Sequence, residues 1–225
     1  MKSVHIFIAS CYEGIEIQIP RLIKNLHEVN IPSEYIHFII GGCPDENIEY
    51  RNGIELVCVK YRCFEFTPMI YISNNPEKYD FEYGFFTHDT VKFGNTFYET
   101  IKNDISLMGQ FDCMKIENNI SSMNIGIYSK KSILNNRQTL DEITLYTNDP
   151  NHLMNMKNKL VDYEDFILNQ SNYNNGDTSE MIPTQFTGIK NVKANGLLRI
   201  FKRIDFIKYQ SNAYNIQSID ICKIE

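Results

Sequence analysis

Tyr83-Gly84-Phe85-Phe86-Thr87 is an apolar run that ends in His88-Asp89-Thr90. Such a run reads as a buried strand delivering a carboxylate to a sheet edge, and in open α/β sheets ligands collect where the strands end. A carboxylate there, with a polar neighbour on each side, suits a divalent cation. Hard cations that keep phosphate oxygens as ligands need few protein oxygens, so Asp89 points to the metal and diphosphate end of a nucleotide-sugar site. Asp-Thr is also common turn and cap chemistry, and the stretch reads equally well as a strand followed by a turn. A second acidic feature, Glu164-Asp165, sits between Tyr163 and Phe166-Ile167-Leu168. Its simplest account is the first turn of a helix, where the dipole favours acidic residues.

The elements that must position these residues follow from periodicity. Val4–Ala9 is a nearly unbroken apolar run, the pattern of a parallel strand covered on both faces, with the polar exit Ser10-Cys11-Tyr12-Glu13-Gly14. Pro20 suits a first helical turn, and Ile19, Leu22, Ile23, Leu26 and Val29 keep helical spacing until Asn30 and Pro32. Ile36–Ile40 and Ile54–Val59 are further buried strands, so the chain opens with a right-handed βαβ unit. Thr67-Pro68 starts a helix carrying Met69, Ile70 and Ile72 to Asn74-Asn75-Pro76. Another helix begins near Asn95 with Phe97, Ile101, Ile105 and Met108 on one side, which places Asp89 in a strand-to-helix loop able to reach a ligand. Asp112–Ile116 and Met123–Tyr128 read as strands, and Asp149-Pro150 opens a helical stretch that Tyr163–Leu168 continues. Ser171–Ser179, polar and Asn/Gly-rich, reads as a mobile loop. Leu197–Tyr209 mixes apolar and basic residues, as a strand or helix with solvated charges on one face does.

At 225 residues the expectation is one α/β domain. A net charge of −6 and a pI near 5.4 argue against a nucleic-acid partner, which requires a basic footprint. Cys11, Cys43, Cys58, Cys63, Cys113 and Cys222 form no Cys-x-x-Cys pair, giving no support for structural zinc. Their number, with no signal peptide, leads to the expectation of reduced thiols in the cytoplasm. No stretch is apolar for long enough to cross a bilayer. Neither Gly-x-Gly-x-x-Gly nor Gly-x-x-x-x-Gly-Lys-Ser/Thr occurs, so side chains and a metal would have to manage any phosphates.

In their order, several motifs resemble the GT-A class of glycosyltransferases, in particular small single-domain members from bacteria and large DNA viruses. They are Ser10-Cys11-Tyr12-Glu13, Ile39-Ile40-Gly41-Gly42, Phe64-Glu65-Phe66-Thr67, Phe85-Phe86-Thr87-His88-Asp89-Thr90, Asn124-Ile125-Gly126-Ile127-Tyr128-Ser129, Glu164-Asp165 and the segment Arg203…Asp205…Lys208-Tyr209…Asn212. The resemblance implies a mostly parallel central sheet flanked by helices, with a smaller acceptor-side β region. A donor half over about residues 1–110 would bind a nucleoside-diphosphate sugar, by family analogy a UDP-sugar, and residues from about 111 to 225 would meet a glycan or glycoprotein acceptor. The compartment it suggests is the cytoplasm, the host's if the source is viral.

The resemblance also assigns roles. Ser10, Cys11, Tyr12 and Glu13 would contact the nucleoside, Tyr12 through its ring face, and Asp45 is a further candidate for the base. Thr87-His88-Asp89 stands where the class has Asp-x-Asp, so one carboxylate is replaced by Thr87. Asp89, helped by His88, would coordinate Mn²⁺ or Mg²⁺. Asp165 with Glu164 beside it would deprotonate the acceptor hydroxyl, giving inversion at the anomeric carbon. Lys208 or Arg203 would add a positive charge at the diphosphate. Two other readings stay open: a non-catalytic nucleotide-sugar or glycan-binding module of the same fold, and a sugar nucleotidyltransferase. The second lacks the Gly-rich loop and basic residue expected after the first strand.

Overall fold

A computed structural model describes residues 3–109, 112–117, 125–145, 172–177, 180–183 and 196–211. The first apolar run forms β1 (His5–Cys11), which pairs in parallel with β2 (Ile36–Gly41) on one side and β5 (Tyr83–His88) on the other. Outside β2 lie β4 (Ile54–Val59), parallel, and β3 (Asn47–Arg51), antiparallel. Beyond β5 come β8 (Ile125–Ser129), β7 (Cys113–Glu117) and β9 (Asn172–Asp177). The order is β3-β4-β2-β1-β5-β8-β7-β9, a mostly parallel sheet. Its inner strands are mostly apolar because both faces are covered, and every residue of β2 and β4 is buried, the polar His37 and Glu55 included.

One face packs against α1 (Gln18–Glu28), α3 (Phe97–Leu107) and a small antiparallel sheet. That sheet has the order β10 (Glu180–Pro183), β11 (Gly196–Phe201), β12 (Phe206–Ser211), β6 (Val91–Phe93). The opposite face carries α2 (Thr67–Asn74), α4 (Lys130–Asn135) and α5 (Arg137–Leu145). The protein is therefore mixed α/β, a mostly parallel central sheet flanked by helices with a smaller β region beside it.

α1 begins two residues before Pro20 and stops at Asn30, whose φ of 57° is the left-handed conformation that ends helices. Two elements differ from the sequence reading. Asn172–Asp177, read as part of a mobile loop, runs parallel to β7, because backbone pairing to a sheet edge makes few demands on side chains. Leu197–Tyr209 is a hairpin, β11 turning into β12 over residues 202–205. The helical stretch read from Asp149-Pro150 onward lies outside the described residues. Among the described residues, no helix is long and apolar enough to cross a membrane.

Candidate functional site

Chain order fixes where a ligand can sit. From β1 the sheet grows outward through β2 to β4, and the chain then returns to place β5 on the other side of β1. The chain leaves β1 toward α1 and β5 toward β6 and α3, all on one face of the sheet, so the two C-terminal strand ends adjoin one site on that face, and strand ends are where α/β sheets take ligands. Ser10 and Asp89 occupy that site. The backbone N–H of Asp89 donates to the Ala9 carbonyl at 3.0 Å, which extends the β1–β5 ladder by one bond. Its carboxylate Oδ2 accepts from the Ser10 hydroxyl at 2.5 Å. Gly14, in the turn after β1, packs against both: a Cβ there would lie 3.0 Å from Asp89 Oδ2 and 3.1 Å from Ser10 Oγ.

Burial holds the Asp89 carboxyl above its usual range, with the Ser10 hydroxyl and the nearby His88 opposing the shift. Its negative charge is therefore costly as it stands and is favoured by any cation brought to it. Burial, followed by the charge of Asp89, pushes the Cys11 thiol up to about 11, so Cys11 lines the site as a neutral group.

The remaining residues spread along the same edge. Tyr12 is 49% exposed, its ring open to a planar partner. Glu13 is paired with Arg62, Nη1 to Oε1 at 2.9 Å. Burial raises the Glu13 carboxyl, but its own backbone N–H and the Arg62 guanidinium outweigh that and hold it below the usual range. Asp45 is exposed on the loop after β2. His88 faces Glu65, Nε2 to Oε2 at 3.4 Å, on the α2 side of the sheet. Thr87 lies within β5 opposite Ile8 and Ile125, its hydroxyl buried and without a hydrogen-bond partner among the described residues.

Lys208 is buried in β12 and is the ladder partner of Val91, two residues past Asp89. Thr90 is bonded to the same strand: the Tyr209 N–H donates to the Thr90 carbonyl at 2.9 Å. Arg203, the alternative cation, is committed elsewhere. Its guanidinium makes a two-pronged bond to Asp104 of α3, at 2.8 and 2.9 Å, and that buried carboxylate accounts for it structurally. Glu164 and Asp165 lie outside the described residues.

The structure thus brings Ser10, Cys11 and Asp89 together, with Tyr12 and Glu13 at the border of the site, while Lys208 is placed only by its strand, which pairs with β6 two residues past Asp89. Arg62, Glu65 and Gly14 join them without having been singled out as site residues. Only Glu65 carried a sequence signal, its place in Phe64-Glu65-Phe66-Thr67. Comparison of the sequence with protein-family models and with curated proteins gives no match.

Proposed function

We propose that this chain is a GT-A-class glycosyltransferase, moving a sugar from a nucleoside-diphosphate sugar, a UDP-sugar by analogy, to a hydroxyl of a glycan or glycoprotein acceptor. The observation that carries the reading is the Ser10–Asp89 pair at the C-terminal ends of β1 and β5. It is a half-buried carboxylate at the strand ends of a mostly parallel sheet, and β12, the strand of Lys208, pairs with β6 two residues beyond it.

Whether the residues fit a divalent ion is decided by the donor set. Asp89 offers one carboxylate beside the Ser10 hydroxyl, His88 is directed to Glu65, and no three His, Cys, Asp or Glu side chains among the described residues form a metal cluster. That set is too small for an all-protein cage. It fits an ion that takes its other ligands from a diphosphate and water. Bound at Asp89, Mn²⁺ or Mg²⁺ would neutralise charge on the departing phosphate. The chain's own residues do the rest: Ser10 orients Asp89, Tyr12 offers its ring to the base, and Glu13, steadied by Arg62, accepts a hydrogen bond from the nucleoside. On this reading Asp165, with Glu164 beside it, takes the acceptor proton.

The test measures donor hydrolysis and transfer with and without Mn²⁺. Asp89→Asn should lower both by about 100-fold, in line with losing one electrostatic contact to the developing charge. Asp165→Asn should keep donor binding and lose transfer. Transfer unchanged in Asp89→Asn overturns the reading. Thr87, buried in the strand where the class has a carboxylate, favours a second one, a nucleotide-sugar binder without turnover. Its signature is donor binding with no hydrolysis in the wild-type chain.

A further inference from the structure

At the end of the large sheet away from β9, β3 pairs only with β4 among the described residues, and its outer edge is open. The strand is Asn47-Ile48-Glu49-Tyr50-Arg51, held to β4 in one unbroken register. Edge strands that stay alone are commonly guarded by proline, by a bulge or by unpaired charge, lysine above all. β3 has no proline, lysine or bulge, and its two charges face each other, Arg51 Nε donating to Glu49 Oε1 at 2.8 Å. Its two large apolar side chains are left outside, Ile48 at 50% and Tyr50 at 68% exposure.

Backbone parity decides which groups point away from the sheet. Arg51 and Ile54 close the two-residue Asn52-Gly53 turn, so these two exchange the bonds of their pair. Bonded and non-bonded pairs alternate along an antiparallel ladder, which turns the N–H and C=O of Ile48 and Tyr50 outward. Side chains alternate as well, so Ile48 and Tyr50 share one face while Glu49 and Arg51 share the other. The Tyr50 ring is oriented by its hydroxyl, which donates to Glu55 Oε1 at 3.4 Å. Arg51 is steadied by the Ile15 carbonyl at 3.3 Å.

With an acid and a base on either side of Tyr50, the strand is complementary to itself. A second copy laid antiparallel about a two-fold axis at Tyr50 sets each Glu49 opposite the other copy's Arg51, in non-bonded pairs where side chains approach closest. The two Tyr50 residues exchange both backbone bonds, and each Ile48 reaches diagonally to the facing ring. An axis at Glu49 would oppose two carboxylates, which works against the pairing, and one at Ile48 would give Glu49 only Asn47. We infer that β3 pairs with β3 of a second copy, an isologous contact that joins two large sheets into one. The overlap is residues 49–51 of each copy, so the dimer is a weak, concentration-dependent one. It stands apart from the function proposed above, since β3 is three strands removed from β5 and Asp89.

The test is sedimentation equilibrium of the full chain from about 10 µM to about 1 mM, the range in which a small contact associates. The wild type populates a dimer. Glu49→Arg and Arg51→Glu each set like charges against each other across the axis and weaken association at least roughly tenfold. Mixed in equal amounts, the two variants associate at least as tightly as the wild type, because the cationic strand of one then faces the acidic strand of the other. Ile48→Lys leaves both charges in place, adds a lysine to the edge and also weakens the dimer. A wild type that is monomeric throughout overturns the contact and leaves the edge to a strand of another protein. A dimer that neither charge variant weakens uses a different surface and overturns it too, as does a mixture of folded variants that associates no better than each alone. Should a charge variant fail to fold, Ile48→Lys decides: association as tight as in the wild type overturns the contact.

Discussion

The placement of Asp89 in the site depends on Gly14 having no side chain. Gly14 does not adopt a left-handed φ, so alanine accepts its backbone without strain. The added Cβ, at 3.0 and 3.1 Å from Asp89 Oδ2 and Ser10 Oγ, must instead displace those two atoms by a few tenths of an ångström. Gly14→Ala should therefore leave the melting temperature within a few degrees of the wild type while donor hydrolysis falls at least roughly tenfold, since small misplacements of a positioned group are costly to rate. Unchanged hydrolysis would mean that the donor phosphates do not meet Asp89. At this scale Asp89 is legible in the sequence, because a carboxylate closing an apolar run has few other places to be. The role of Ser10 is not. Its resemblance-based place is against the nucleoside, yet its hydroxyl donates to a residue 79 positions away, and no local pattern encodes a contact that only the β1–β5 pairing creates.

Among elements, the strand beginnings hold a polar network remote from that site. His5 of β1 and His37 of β2 stack with Nδ1 to Nε2 at 2.9 Å, and His37 Nδ1 bonds to Glu55 of β4 at 3.1 Å. Tyr79 donates to Glu55 at 2.6 Å and Lys78 pairs with it at 2.9 Å. The carboxylate selects one arrangement of protons, with His37 donating to Glu55 and His5 donating to His37. Burial first, then the neighbouring His37, brings His5 down to about 4, with Asp80 opposing and Lys130 reinforcing; burial also lowers His37. Burial raises Glu55, but bonds from His37, Tyr79 and Lys78 outweigh it and bring it to about 2. For His5 the unfolded chain binds more protons between pH 6.5 and about 4, so stability is lost as pH falls through that window, and the lowered His37 adds a loss of the same sign below pH 6.5. Glu55 adds a second loss between about 4.5 and 2. His5 alone contributes on the order of 3 kcal/mol. Urea midpoints at pH 7.5 and 5 should differ in the wild type and differ less in His5→Phe; equal slopes in the two chains would contradict the network's role.

Long apolar strands and α1 to α3 were legible because burial on both faces and helical spacing leave local marks. The β3–β4 hairpin went unread although Asn52-Gly53, with φ of 51° and 80°, is a turn signal in plain view. So did α4, started by the Ser129 hydroxyl accepting from the Ser132 N–H, and α5, with Leu140 and Ile143 buried three apart. β9 left no mark, since its place is set by the exposed edge of β7.

For the molecule as a whole, the question is what seats the small sheet so that β12 runs beside the turn that follows Asp89. Phe85 of the large sheet, Phe97 of α3, and Phe93 and Phe206 of the small sheet form one aromatic cluster, mostly edge to face, with centroids 4.7 to 5.6 Å apart. Asn25 of α1 closes the edge of β6 with two bonds to the Phe93 backbone, at 2.8 and 3.0 Å. At the β11–β12 turn, Asp205 accepts from the Thr96 N–H at 3.0 Å and so caps α3 from a distant part of the chain, while its own carbonyl takes the Gly94 N–H at 2.8 Å. A Cβ on Gly94 would stand 2.0 Å from the Asp205 carboxylate, a separation no packing tolerates. Gly94→Ala must therefore expel that carboxylate, strip α3 of its cap and shift the turn that carries β12. The expected cost is the cap, about 1 kcal/mol, plus the overpacking, about 1 to 3 kcal/mol. Asp205→Gly alone loses only the cap, because glycine accepts its φ of 50°. Combining the two removes the clash, so the double variant should unfold at higher urea than the sum of the single effects implies. Strict additivity would show that Gly94 and Asp205 act independently and that this turn does not set the position of the small sheet.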